Sequence, residues 1–240
     1  MTTRYDAVVP AGGAARRLGG TDKPALTVGG RQLLDRVLAA CAAAGETVVV
    51  GPRRPTARPV RWAREEPPGG GPVPALAAGL AVLAEPPPPA APGPSGSGGR
   101  DATGGPDRAG AQVPAGEPDG RAAEVVVVLA ADLPFLTAET VGALADAAAG
   151  AGREVDGVLL TDATGRDQPL AAAYRVEPLR RELALLVGEY GGLGGLPLRL
   201  LTGGLTLRRM ADPTGEASFD CDTWEDVAAA RARLERRSGG

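Results

Sequence analysis

The 240-residue chain contains no histidine. That absence removes the side chain most used as general base and as metal ligand, together with every Ser-His and Cys-His nucleophile pair. Any chemistry must run on carboxylates, cations and backbone groups. Lysine is nearly absent too: of the 26 basic residues only Lys23 is not arginine. In a chain so rich in Ala, Gly, Pro and Arg, a retained lysine marks a position to follow. The two cysteines, Cys41 and Cys221, are too few for a disulfide framework and form no C-x-x-C pair, which fits a reducing cytoplasm. There is no basic excess, the formal net charge being −3, so a small-molecule partner is expected and a nucleic-acid surface is not. No apolar run approaches the ~20 residues of a membrane span, and the apolar stretch near the N-terminus is too short for a signal peptide. A soluble, cytoplasmic protein without membrane contact is expected.

What is present reads as alternating strands and helices. Tyr5 to Val9 is a β-branched run that opens into a glycine-rich loop lasting to about Gly30. Leu33, Leu34, Val37, Leu38 and Cys41 then share one face of a predicted helix over 31–44, stopped by Gly45. The next strand is 46–50, with a short one around Trp62 and a helix over 74–84. Val125 to Leu129 is the strongest strand signal, apolar on both faces as a central parallel strand should be. Thr137 is an expected N-cap for a helix over 140–149. Strands at 158–161 and 169–174, a helix over 178–187, a glycine-rich loop over 188–195 and a terminal helix over 223–236 complete the reading. Trp62 and Trp224 are read as packing residues. The β-loop-α-β order predicts an α/β fold with a mostly parallel sheet, since parallel strands need crossover helices.

Residues 1–240 read as one domain interrupted at 85–121, where Pro, Gly, Ser and Ala replace almost every large apolar side chain. Such a segment buries too little surface to offset its ordering entropy and is expected to be a disordered insert.

The motif with most chemical content is Ala11-Gly12-Gly13, followed by Arg16-Arg17, Gly19-Gly20 and Asp22-Lys23-Pro24. Glycines lacking Cβ let backbone N–H groups close around phosphate oxygens, and Arg17 and Lys23 supply positive charge for a triphosphate. Pro24 after the lysine excludes a Walker P-loop, and the glycine spacing is not that of a dinucleotide fingerprint. Asp132 follows the 125–129 strand, at the end where ligands bind in open α/β sheets.

Ala11-Gly12-Gly13, Arg17, Gly19 and Asp22-Lys23-Pro24 resemble the signature loop of nucleotidyltransferases that activate sugars and cofactors, above all the molybdenum cofactor guanylyltransferases, which are MobA-like. Gly71-Pro72-Val73-Pro74-Ala75-Leu76, Ala131-Asp132-Leu133-Pro134-Phe135-Leu136, Gln168-Pro169-Leu170 and Asp220-Cys221-Asp222-Thr223-Trp224-Glu225-Asp226 resemble further family segments in the same order. The sequence departs at Pro10 and Pro74, which lack an N–H in the nucleotide-binding segments, and at Asp220 and Asp222, where asparagine is common. Glu65 and Glu66 fall near a family acid, off its spacing.

The resemblance implies a three-layer, Rossmann-like nucleotidyltransferase fold and magnesium-dependent transfer of GMP from GTP to a molybdopterin-type phosphate acceptor, with release of pyrophosphate. Molybdoenzymes or cofactor-biosynthesis proteins are the implied partners. Lys23, Arg17 and Asp132 are the implied catalytic residues. Ala11, Gly12, Gly13, Lys23, Gly71 and Asp132 are the implied nucleotide contacts, Asp132 and Asp222 the magnesium ligands with Asp220 in reserve, and Gln168 the acceptor contact. Asp222 has a competing role as cap of the terminal helix. The alternatives are CTP as donor, a sugar phosphate or phospholactate as acceptor, or a non-catalytic nucleotide-binding module.

Overall fold

The computed structural model describes residues 3–13, 18–86 and 123–238. Arg17 and the 87–121 portion of the expected insert lie outside the described residues.

Strand β1 (Tyr5–Pro10) opens into the glycine loop, which returns through a 3-10 turn, Lys23–Ala25, and a small hairpin of β2 (Thr27–Val28) and β3 (Arg31–Gln32). Helix α1 (Leu33–Ala40) leads to β4 (Thr47–Val50), β5 (Arg61–Ala63) and α2 (Pro72–Ala84). Next come β6 (Val125–Leu129), α3 (Ala138–Ala149), β7 (Gly157–Thr161) and β8 (Asp167–Arg175). The chain continues through α4 (Val176–Tyr190), α5 (Leu198–Gly203) and β9 (Leu207–Ala211) to α6 (Trp224–Ser238).

Seven strands form one sheet in the order β5-β4-β1-β6-β8-β7-β9, and only β8 runs against the others. Alternating side chains feed two cores, one on each face. Tyr5, Ala7 and Val9 of β1 and Val125, Val127 and Leu129 of β6 pack with Leu34, Val37 and Leu38 of α1 and Val141, Leu144 and Ala148 of α3. Val8, Val126 and Val128 face the opposite side, against Val73, Leu76 and Leu80 of α2 and Leu179, Leu183 and Leu186 of α4. This is the expected three-layer α/β arrangement. Helix α2 lies unusually close to the sheet, since a Cβ on Gly79 would fall 2.5 Å from Val8 Cγ1. Among the described residues no helix is long and apolar enough to cross a membrane.

Several elements differ from the sequence expectation. Helix α1 ends at Ala40 because Arg58 takes its last carbonyls, donating from Nη1 to Leu38 O at 3.2 Å and Cys41 O at 3.0 Å. Gly45 is not the stop; its N–H donates to Tyr5 O at 2.8 Å. Helix α2 begins at Pro72, which places Pro74 in the first turn, where no intrahelical N–H bond is lost. Helix α4 passes through Gly188 and stops at Gly191, whose φ of 72° supplies the left-handed cap. Neither α5 nor β9 is expected from the sequence: α5 has only six residues, and β9 is an exposed edge strand defined by pairing with β7. Trp62 packs against the first core as expected, but Trp224 opens α6 with 47% of its surface exposed.

Candidate nucleotide site

The strand order reverses direction at β1, which has β4 on one side and β6 on the other. In open α/β sheets such a switch point leaves a crevice beyond the carboxyl ends of the strands. Here a cavity of about 490 Å³ fills it. Its walls carry Ala11, Gly12 and Gly13 after β1, Asp132 after β6, Glu65 after β5, Gly71 at the start of α2, and Lys23 from the 3-10 turn. The structure thus brings together six of the seven implied nucleotide and catalytic residues, the seventh being Arg17.

Lys23 is the hub. Its Nζ forms an ion pair with Asp132 Oδ2, and it donates to Asp222 Oδ1 at 2.5 Å. The side chains of Lys23 and Asp132 are each 16% exposed. Burial works against the charged ammonium, yet the Asp132 and Asp222 carboxylates outweigh it, and the Lys23 pKa lies above its ordinary value. A fixed positive charge therefore sits at the mouth of the glycine loop throughout the neutral range.

The cap of α6 comes from Thr223, the neighbour of Asp222. Thr223 Oγ1 accepts from Asp226 N at 3.2 Å, and Thr223 N donates to Asp226 Oδ2 at 2.7 Å, a reciprocal capping box. Asp220 makes no ion pair with Lys23. Partial burial, and after it the charges of Asp222 and Asp132, push its carboxyl up to about 6. The two acid-bearing loops are held together by Cys221 N donating to Asp132 O at 3.2 Å. Phe135 and Phe219, with ring centroids 5.5 Å apart, pack beside this junction under the Arg233 guanidinium.

The donor set suits a hard divalent cation. Asp132 Oδ1 is buried without a hydrogen-bond partner, and the Lys23 ammonium already bridges two carboxylates as a cation would. Magnesium takes one or two carboxylates and completes its shell with phosphate and water. Asp132 and Asp222 could supply that pair.

Glu65 enters the site more firmly than its sequence spacing suggested. It is 6% exposed, its Oε1 accepts from Gly69 N at 3.1 Å, and its Oε2 is buried with no partner. Gln168 is the second residue of β8, where its Nε2 donates to Asp162 Oδ2 at 3.1 Å, and it is not part of the cavity wall; Leu170, two residues on, is. Gly71 has φ of 100° and borders the cavity at the N-terminus of α2. With prolines at the first and third helical positions, Val73 brings the only N–H of those three to that end. That end of α2 is therefore poor in N–H donors, while Lys23 and the glycine loop line another part of the cavity wall.

The model of the MobA-like NTP transferase domain matches residues 7–198. The chain belongs to this family. It is therefore a nucleotidyltransferase, and the family match spans the glycine loop, Lys23, Glu65, Asp132 and Gln168, while Asp222 lies beyond it. Among solved structures, the molybdopterin-guanine dinucleotide biosynthesis protein A of Archaeoglobus fulgidus is similar with a TM-score of 0.63 at 17% identity, over 96% of this chain and 99% of the other. The 2-C-methyl-D-erythritol 4-phosphate cytidylyltransferase of Thermus thermophilus reaches a TM-score of 0.60 at 17% identity, over 97% and 100%. A homologue of Mycobacterium tuberculosis Rv0371c from Mycobacterium sp. strain JC1 reaches 0.62 at 21% identity, over 99% and 100%. At these identities the likeness is one of fold. No curated protein sequence matches the chain.

Proposed function

We propose that this MobA-like nucleotidyltransferase transfers GMP from GTP to the phosphate of a molybdopterin-type acceptor, releasing pyrophosphate. The observation that carries the choice of base is Glu65, a buried carboxylate on the cavity wall whose Oε2 has no hydrogen-bond partner. Guanine offers two adjacent N–H donors on its pairing edge, which one carboxylate accepts together. Adenine and cytosine pair a donor with an acceptor, and uracil has a single donor between two acceptors. Against those edges a carboxylate meets a lone pair, a repulsion that builds specificity.

The acceptor phosphate is ionised at neutral pH, so attack on the α-phosphorus needs no general base and the missing histidine leaves no gap. What the chain supplies is position and charge: amides of Gly12 and Gly13, the Lys23 ammonium, and the carboxylates of Asp132 and Asp222 for magnesium. Bound magnesium would neutralise charge on the triphosphate. Two free, buried cysteines suit the cytoplasmic setting of this reading.

Binding of GTP, CTP, ATP and UTP in the presence of magnesium tests it, with Glu65→Gln beside the wild type. GTP should bind tightest, and Glu65→Gln should weaken GTP by about 10-fold or more, as expected for loss of a charge-assisted hydrogen bond. A preference for CTP or UTP would overturn guanylyl transfer and leave the family assignment standing.

A further inference from the structure

The loop that follows β4 presses against the root of the glycine loop. Gly51 has φ of 143°, and a Cβ there would lie 3.0 Å from both the Ala11 carbonyl carbon and Gly12 N, so only glycine permits this approach. Three residues later Arg54 turns back over the same peptide, its side chain 8% exposed. Its Nε donates to Pro52 O at 3.3 Å, its Nη2 donates to Ala11 O at 3.4 Å, and its Nη1 lies 2.8 Å from Asp22 Oδ1, an ion pair without hydrogen-bond alignment. One guanidinium thus ties the residue that opens the glycine loop to the residue that precedes Lys23.

The orientation has a consequence at Gly12. In a trans peptide the carbonyl of one residue and the N–H of the next point in opposite directions. With Ala11 O turned toward Arg54, the Gly12 N–H is directed to the other side of that peptide, and Gly12 is a wall residue of the cavity. Arg54 itself is not on the wall.

We propose that Arg54 is a positioning residue for nucleotidyl transfer: it presets the Gly12 amide and the Lys23 ammonium at the spacing a triphosphate needs. The role rests on the reading of the glycine loop as the triphosphate site. Two nitrogens of one planar guanidinium reach Ala11 O and Asp22 at once, whereas an ammonium offers a single point charge.

The test is calorimetric titration of GTP and of inorganic tripolyphosphate, each with magnesium, into wild type, Arg54→Gln, Arg54→Lys, Asp22→Asn and the Arg54→Gln/Asp22→Asn pair. Arg54→Gln should weaken both probes about 5- to 10-fold, the scale of a half-exposed ion pair with a long hydrogen bond beside it. Tripolyphosphate should lose as much as GTP, because the role concerns phosphates and not the base. Arg54→Lys should bind between Arg54→Gln and wild type. Asp22 is 55% exposed, so Asp22→Asn keeps the fold while reporting on the same contact. The double variant should be no weaker than Arg54→Gln alone, since coupled residues lose one shared interaction. Wild-type affinity in Arg54→Gln, a loss confined to GTP, an Arg54→Lys variant no better than Arg54→Gln, or additive losses in the double variant would overturn the proposal. If the wild type bound neither probe, the glycine-loop reading itself would fall, and this role with it.

Discussion

Replacing Lys23 with methionine should destabilise the metal-free protein, and magnesium should reverse the loss. Lys23 is 16% exposed and holds two carboxylates, Asp132 at 16% exposure and Asp222 at 46%. Methionine keeps the apolar stem but leaves those carboxylates facing each other, with Asp132 Oδ1 already lacking a partner. Breaking a fully buried pair costs about 3–5 kcal/mol, and the partial exposure of Asp222 brings the expected loss here to about 2 kcal/mol. For a domain of this size that corresponds to a Tm lower by roughly 4–8 °C. A divalent cation can replace the ammonium between the two acids and should recover most of the difference. Thermal unfolding of wild type and Lys23→Met, with and without magnesium chloride, measures both effects. An unchanged Tm would show that Lys23 does not hold the two acids together, and a loss that magnesium leaves intact would show that they do not take a divalent cation.

Lys23→Arg keeps the charge but not the compact ammonium, and should lower kcat/KM for the triphosphate by at least ~10-fold, or about 1.4 kcal/mol of transition-state stabilisation; normal turnover would pass the phosphate role to another cation. Arg58→Ala removes charged donors from Leu38 O, Cys41 O and Thr47 Oγ1 and should cost about 2–3 kcal/mol of stability. Nucleotide affinity measured below the unfolding transition should be unchanged in that variant, because Arg58 lies outside the cavity wall. A stability loss well under 1 kcal/mol would show that α1 ends without its help.

The central sheet is legible in the sequence because β6 is a continuous apolar run and β1 and β4 carry Val-rich stretches, buried on both faces, and such runs have few other ways to fold. Asp132 can be placed at the site because it follows the strongest of these runs directly. The reversed direction of β8 is not legible, since its sequence alternates no differently when paired antiparallel. Edge strand β9 escapes a sequence reading for a related reason: its Leu207, Arg208, Arg209, Met210 pattern becomes a strand only beside β7. The contact between Lys23 and Asp222 spans 199 residues, and no local signal could announce it. The capping box, in contrast, is written in Thr223 and Asp226 at the usual spacing, and it releases Asp222 from the capping role. Glu65 is off the family spacing in the sequence, and its place on the cavity wall shows only once the chain beyond β5 is folded.

In the proposed reaction Asp132 and Lys23 form the centre at which a nucleoside triphosphate is cleaved between its α- and β-phosphates. Pyrophosphate release from GTP with a molybdopterin acceptor, followed as a function of magnesium in wild type and Asp132→Ala, tests it most directly. The wild type should release pyrophosphate only with magnesium and acceptor present, and Asp132→Ala should lose that turnover while remaining folded. Turnover by Asp132→Ala at the wild-type rate, with the same magnesium dependence, would rule out that role for Asp132.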